Sequence, residues 1–238
     1  MLYLVGCRQE NPRMQANLLK PITYMELAAL AVLALLAFCY VEIAGVFSRH
    51  MIIHIALMTV AAPVLASLLL NRRYSSLQPS SVSTLFAAIA TQAALLFAWH
   101  SPPGIGLALD GHAGALFMQA TLLFSAIWFW LTVFNQTGKY LWRGVFALLL
   151  TGKLFCLMAI LLIFAPRVLY GITAANMPLP VELADQQFAG LLMVTVCPIS
   201  YVLAAIVLIS RWFQTLCDSQ SNVVLPVTAP ENSSCPYR

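Results

Sequence analysis

Four histidines, two of them set among methionines, are the residues of this sequence best suited to bind a metal. His50, His54 and Met58 follow one another at intervals of four residues, which places them on one face of a helix, and Met51 lies near that face. Imidazole nitrogen and thioether sulfur together suit copper, above all Cu(I), better than magnesium or calcium. The pattern lacks the glutamate of the His-Glu-x-x-His zinc protease motif. It therefore predicts a copper site rather than a hydrolytic zinc centre.

Further candidate ligands lie at the ends of other apolar blocks. His100 closes one block, His112 opens the next, and Asp185 precedes the last. A carboxylate can bind a metal directly or orient a coordinating imidazole. The predicted metal site comprises seven residues: His50, Met51, His54, Met58, His100, His112 and Asp185. The alternative interpretation is an interfacial patch of polar histidines, with the methionines filling an apolar core.

Long apolar blocks determine the fold class. The chain is 61% hydrophobic and 8% charged, whereas soluble domains carry about 25% charged residues. Apolar blocks of roughly 18 residues or more are long enough to cross a bilayer, and a lipid-exposed backbone must satisfy its own hydrogen bonds. The sequence predicts an all-α bundle of about six transmembrane helices, at 22–47, 51–70, 82–99, 113–134, 144–165 and 187–212.

The remaining segments complete the predicted domain organisation. Residues 1–20 are predicted to be a cytoplasmic N-terminal segment, 21–213 a single transmembrane domain, and 214–238 a disordered cytoplasmic tail. Ser101-Pro102-Pro103-Gly104 predicts the start of a turn-rich loop, and 167–185 is the longest connection between spans.

Basic residues predict the orientation, because they concentrate on the cytoplasmic side of membrane proteins. Nine of the 12 Lys and Arg residues fall on one set of connections and tails, and only Arg49 and Arg167 fall on the other. Both ends of the chain are then cytoplasmic. All four histidines then lie towards the outer face of a bacterial inner membrane, the side of the periplasm. The nine residues are Arg8, Arg13, Lys20, Arg72, Arg73, Lys139, Arg143, Arg211 and Arg238.

Three motifs follow one another between residues 45 and 213. The first runs from Phe47 to His54 and continues to Ala61-Ala62-Pro63, and the second is Trp99-His100-Ser101-Pro102 with His112 downstream. The third is Asp185-Gln186-Gln187-Phe188-Ala189-Gly190-Leu191-Leu192-Met193. In this order the motifs resemble those of the CtaG-type cytochrome c oxidase assembly proteins. Where members of that family often carry a second histidine one turn into the fourth helix, this chain has Leu116.

The resemblance implies a non-catalytic role in the biogenesis of haem–copper oxidases, with copper as the handled metal. The implied partners are cytochrome c oxidase subunits, the lipid bilayer and a periplasmic copper chaperone. The sequence itself offers no nucleophile–base pair, phosphate loop or paired carboxylates that would indicate an enzyme. No basic tract indicates a nucleic-acid partner.

Two other functions are compatible with the same residues. Histidines at similar depth on facing helices can be axial haem ligands, so a haem-binding electron carrier or an oxidase subunit is one alternative. The other is a transporter of metal or small solutes, since Pro63 falls within a span and can kink it. A Soret band would reveal the first, and metal-dependent flux in proteoliposomes the second.

Overall fold

The structure is a computed structural model that describes residues 45–72, 80–109, 111–170 and 179–223. Within these ranges every regular element is helical, which confirms the predicted all-α fold. The predicted first span, 22–47, lies outside the described residues except at its end, as do residues 1–20 and 224–238.

The helices follow the predicted spans closely. Five stretches of the described residues are long and apolar enough to cross a membrane: Phe47–Leu70, Val82–Trp99, His112–Phe134, Gly138–Phe164 and Val181–Gln214. They correspond to the second through sixth predicted spans. The helices are α1 (Val46–Ala56), α2 (Ala62–Arg72), α3 (Val82–Trp99), α4 (Pro102–Leu109), α5 (His112–Phe134), α6 (Leu141–Phe164) and α7 (Leu179–Val223), with a π-helical segment at Leu57–Ala61 and a 3-10 turn at Gly138–Tyr140.

Helices α6 and α7 form the most extensive helix pair in the described part of the bundle. A Cβ atom built at Gly190 would lie 2.8 Å from Ile163 Cγ1 and 3.0 Å from the Ala159 carbonyl oxygen. Small residues permit this approach, which is how helices gain contact in lipid, where water does not drive them together. Helix α5 packs against α2 and α3. Helix α1 packs against α7.

The segment after the third predicted span is a helix, so the prediction of a turn-rich loop there was wrong. Helix α4 begins with Pro102 and Pro103, at positions where a missing backbone N–H removes no helical hydrogen bond. The Ser101 hydroxyl caps this first turn by accepting a hydrogen bond from the Gly104 amide at 3.3 Å. The prolines start a helix here, although the same residues are common in turns.

Helix α7 extends beyond its predicted span at both ends. It begins at Leu179, inside the predicted long connection, and continues to Val223, inside the segment predicted to be a disordered tail. Hydropathy marks the part of a helix that lies in lipid and does not mark where the helix itself begins or ends.

The π-helical segment Leu57–Ala61 lies between His54 and Pro63. The Ala62 amide donates to the Leu57 carbonyl, five residues back, and Pro63 has no amide hydrogen to donate. The Met58 carbonyl therefore loses its usual helical donors. It accepts instead from the indole N–H of Trp130, on α5, at 3.1 Å. This bond joins the irregular part of the second span to its neighbour.

Candidate functional site

One end of the bundle collects most of the predicted site residues. Helix α1 carries His50 and, in its last turn, His54, and His100 follows directly after α3. Tyr170 lies beyond the end of α6, and Asp185 lies near the start of α7. Helix ends from four parts of the chain thus meet around three histidine rings.

His54 lies at the centre of this group. Its ring centroid is 5.7 Å from that of His50 and 5.2 Å from that of His100, each in an edge-to-face arrangement. The residue is 1% exposed, and neither of its ring nitrogens has a hydrogen-bond partner among the described residues. The same holds for the buried Nε2 atom of His50. Buried polar atoms nearly always have partners, so these nitrogens are suited to receive a ligand from outside the chain.

His100 has a defined tautomer and a sulfur neighbour. Its Nδ1 atom lies 2.7 Å from the Leu96 carbonyl oxygen, which can only accept, so Nδ1 carries the proton. Burial lowers the pKa of His100 to about 4, so the ring is neutral near pH 7. Its Nε2 lone pair then faces the Met51 sulfur at 3.4 Å. A nitrogen atom and a sulfur atom that could each coordinate a metal therefore lie next to each other.

The two predicted methionines differ in their position. Met51 is fully buried and lies against His100. Met58 lies deeper along the same span, about 10 Å from Met51 at 1.5 Å per helical residue. Its side chain is buried, and its sulfur makes no hydrogen-bond-range contact with a histidine in the described part of the chain. The structure therefore brings Met51, and not Met58, to the rings.

Asp185 binds the start of α1 and not the histidine rings. Its carboxylate oxygens accept hydrogen bonds from the backbone amides of Phe47, at 2.9 Å, and Ser48, at 3.2 Å. The Ser48 hydroxyl contacts the same carboxylate and also the Asp185 carbonyl oxygen, the latter at 3.0 Å. Within the described residues the carboxylate contacts no imidazole, so neither of the two roles predicted for Asp185 is shown.

His112 stands apart from the other histidines. It is the first residue of α5 and is exposed. No ring contact or hydrogen bond within the described ranges joins it to His50, His54 or His100. Leu116, where the resemblance predicts a histidine, is 70% exposed one turn further along. This face of α5 points away from the cluster.

Tyr170 contacts the cluster from outside the span, and no pattern in the sequence predicted this role. Its hydroxyl donates to the His100 carbonyl oxygen at 2.6 Å, and its ring stacks on Phe47 at 5.2 Å. Burial raises the pKa of Tyr170 to about 12, so the hydroxyl keeps the proton that it donates. Gln186 fixes the same segment, because its Oε1 accepts from the Leu169 amide at 2.8 Å.

No group of three or more His, Cys, Asp or Glu side chains in the described part of the chain is arranged to hold a metal ion. The donors that do converge are imidazole nitrogens together with the Met51 sulfur. Hard cations prefer several oxygen ligands, and this set offers nitrogen and sulfur only.

Comparison with known proteins identifies one family. The family model described as "cytochrome c oxidase caa3 assembly factor" matches residues 1–215, a stretch that contains every site residue discussed. Searches among curated proteins and among solved structures find no match.

Proposed function

Because the chain belongs to the family of cytochrome c oxidase caa3 assembly factors, we propose that it assists oxidase assembly by binding Cu(I) at His54, His100 and Met51, with His50 at the entrance to the site. The observation that carries the proposal is His54, which is buried, lies between two further imidazoles and has no hydrogen-bond partner for its ring nitrogens among the described residues. The protein acts without catalysing a reaction, as a holder of the metal that the oxidase receives.

The charge of the site favours a monovalent ion. Among the described donors, the Asp185 carboxylate is already bound to the start of α1, which leaves neutral imidazoles and a thioether. Burying an ion without a compensating negative charge is costly, and more so for a divalent ion. Cu(I) combines a single charge with a preference for sulfur and imidazole ligands. The residues therefore fit Cu(I) better than Zn²⁺.

The exposure of the histidines and the distribution of charge indicate from which side copper would reach the site. His54 and His100 are buried, whereas His50 is partly exposed. A donor or acceptor protein would meet His50 first. The opposite end of the bundle carries Lys139, Arg143 and Arg211, as expected for a cytoplasmic face. The site would then face the periplasm of a bacterial inner membrane, where a copper chaperone and the oxidase subunits are the partners.

The geometry favours copper over haem. The His54 and His100 rings are in direct edge-to-face contact at 5.2 Å. A porphyrin held between two axial imidazoles would have to separate them and displace the Met51 sulfur. A transporter function has no comparable observation in its favour.

Copper binding by purified variants tests the proposal. The full-length protein in detergent, loaded anaerobically with Cu(I), is expected to hold roughly one equivalent, as a single nitrogen–sulfur site would. His54→Ala should weaken Cu(I) binding by more than about tenfold, or about 1.4 kcal/mol. Competition with a coloured Cu(I) chelator measures the affinity. His112→Ala is the matched control, because the structure leaves that histidine outside the cluster.

Equal copper retention by wild type and His54→Ala would refute the copper site. A Soret band in the purified protein would replace it with a haem site. The assembly role is tested separately in cells that lack this protein, where copper content and activity of the oxidase should fall. Normal oxidase in those cells would overturn the assembly role whatever the purified protein binds.

A further inference from the structure

Two adjacent residues of α7 make hydrogen bonds to the two halves of the histidine cluster. One half is the α1 side, and the other is His100 with the segment that contacts it. Asp185 holds the first turn of α1, the helix that carries His50, Met51 and His54. Gln186 holds the Leu169 amide, next to the tyrosine that donates to the His100 carbonyl. One turn of one helix is thus connected to both sides of the site.

From these contacts we propose that Asp185 and Gln186 are positioning residues, which together set the distance between the α1 donors and His100. The purpose of this positioning rests on the proposed function, but the hydrogen bonds that produce it do not require a metal. It also assigns Asp185 a role other than that of a metal ligand.

The Asp185 contacts fix α1 in both rotation and height. Two consecutive amides, of Phe47 and Ser48, donate to its two carboxylate oxygens, so the helix can neither turn nor slide without breaking a bond. A carboxylate at a helix start is further stabilised by the helix dipole. His50 follows Ser48 by two residues and His54 by one more turn. Their ring positions therefore depend on this anchor.

The Gln186 contacts fix the other half. Its Nε2 donates to the Leu162 carbonyl near the end of α6, at 3.3 Å, while its Oε1 accepts from Leu169. The chain that leaves α6 is thereby bent back towards the bundle. Tyr170 then reaches the His100 carbonyl and stacks on Phe47, so the two halves meet again above the rings.

The hydrogen bonds that Asp185 accepts tie its carboxylate to the start of α1 in this arrangement. Both carboxylate oxygens are engaged by amides, and one also contacts the Ser48 hydroxyl. To bind a metal it would have to release the start of α1 and move the histidines that form the site.

A crosslink between the two halves tests the positioning role without copper. In a full-length chain whose native cysteines are replaced, Met51→Cys and His100→Cys place two thiols on facing positions, since Met51 Sδ and His100 Nε2 lie 3.4 Å apart in the wild type. A short bifunctional thiol reagent should join them efficiently. Adding Asp185→Asn should reduce the yield several-fold, because an amide offers only one acceptor oxygen for two amide donors. Glu182→Gln is the control, since it removes a carboxylate one turn earlier on the same helix.

A parallel measurement of Cu(I) affinity links the anchor to the proposed function. Asp185→Asn in the otherwise native chain should weaken Cu(I) binding by about 10- to 100-fold, the usual effect of losing an outer-shell contact. X-ray absorption should show a weaker sulfur contribution to the remaining copper. Asp185→Glu should restore part of both, because it returns a carboxylate to the helix start.

The outcomes separate the two proposals. Crosslinking that Asp185→Asn leaves unchanged would overturn the positioning role, whatever the copper data show. A reduced yield in Asp185→Asn alone, beside a wild type that binds no Cu(I), would uphold the positioning role and refute the copper site. An equal reduction in Glu182→Gln would mean that any lost charge loosens this end of α7, which also overturns the specific role of Asp185.

Discussion

At the scale of single residues, Gly45 stands out because no side chain fits between it and Asp185. A Cβ atom built at Gly45 would overlap the Asp185 carboxylate carbon and both its oxygens. That carboxylate is held by two amides and a hydroxyl, so it cannot move aside without breaking those bonds. The absent side chain is part of how α1 is anchored.

Gly45→Ala is accordingly expected to destabilise the protein by about 1–3 kcal/mol, the usual effect of overpacking a closed contact. Thermal unfolding in detergent measures the loss. Gly106→Ala is the control, because a Cβ there meets no atom within 4 Å and alanine favours the helix. Equal unfolding temperatures for Gly45→Ala and wild type would show that Asp185 can be displaced at little cost.

The sequence identified the residue types of the site but not all of its members. Helical spacing placed His50 and His54 on one face, and the structure confirms that their rings lie together. The same spacing cannot tell whether Met51 or Met58 meets the third histidine, because that depends on the height of α3 relative to α1. Asp185 and Tyr170 act through contacts between residues far apart in sequence, which no local pattern encodes.

At the scale of helices, α6 and α7 meet at two glycines that differ in the space they leave for a side chain. A Cβ at Gly190 would lie 3.0 Å from both the Ala159 carbonyl oxygen and Leu162 Cβ, atoms that cannot move independently of α6. A Cβ at Gly152 would lie 3.7 Å from Tyr201 Cβ, an ordinary contact. Comparing alanine variants of the two glycines therefore distinguishes the effect of close helix packing from the general effect of placing alanine in a helix.

Gly190→Ala should lower the free energy of unfolding by about 1–3 kcal/mol, since the helices must move apart near the start of α7. Gly152→Ala should be neutral or stabilising, because alanine is the better helix former by about 1 kcal/mol. Chemical or thermal unfolding in detergent compares the two. Equal effects at both positions would contradict the close packing of α6 on Gly190.

Helix positions were largely predictable because membrane spans follow from length and hydropathy alone. The predicted span at 82–99 and the helix Val82–Trp99 coincide. Helix α4 was not predicted because proline is common both in turns and in the first turn of a helix. The early start of α7 was not predicted because it lies outside the apolar block.

At the scale of the whole molecule, the two ends of the bundle differ in chemistry. One end holds the histidines, and the other holds basic and aromatic side chains, where the Arg143 guanidinium lies 4.2 Å from the centre of the Tyr140 ring. Basic residues concentrate on the cytoplasmic side of membrane proteins. This asymmetry supports the proposed orientation of the bundle in its membrane.

Thiol labelling of intact cells checks that orientation. In a cysteine-free background, a membrane-impermeant reagent should label His112→Cys, at the histidine end. It should label Lys139→Cys, also exposed in the structure, only after the membrane is permeabilised. The reverse pattern would place the histidines in the cytoplasm and would refute a periplasmic copper site.

The π-helical segment has a consequence for insertions and deletions in the second span. A bond to the fifth residue back accommodates one residue more than a regular helix does, and it relieves the clash of Pro63 with the preceding turn. Removing one residue between Leu57 and Ala61 would keep the histidine face and the α2 face in phase but bring the proline ring against a carbonyl. The added residue thus accommodates the proline, and a deletion in this segment should be tolerated better in a chain that also lacks Pro63.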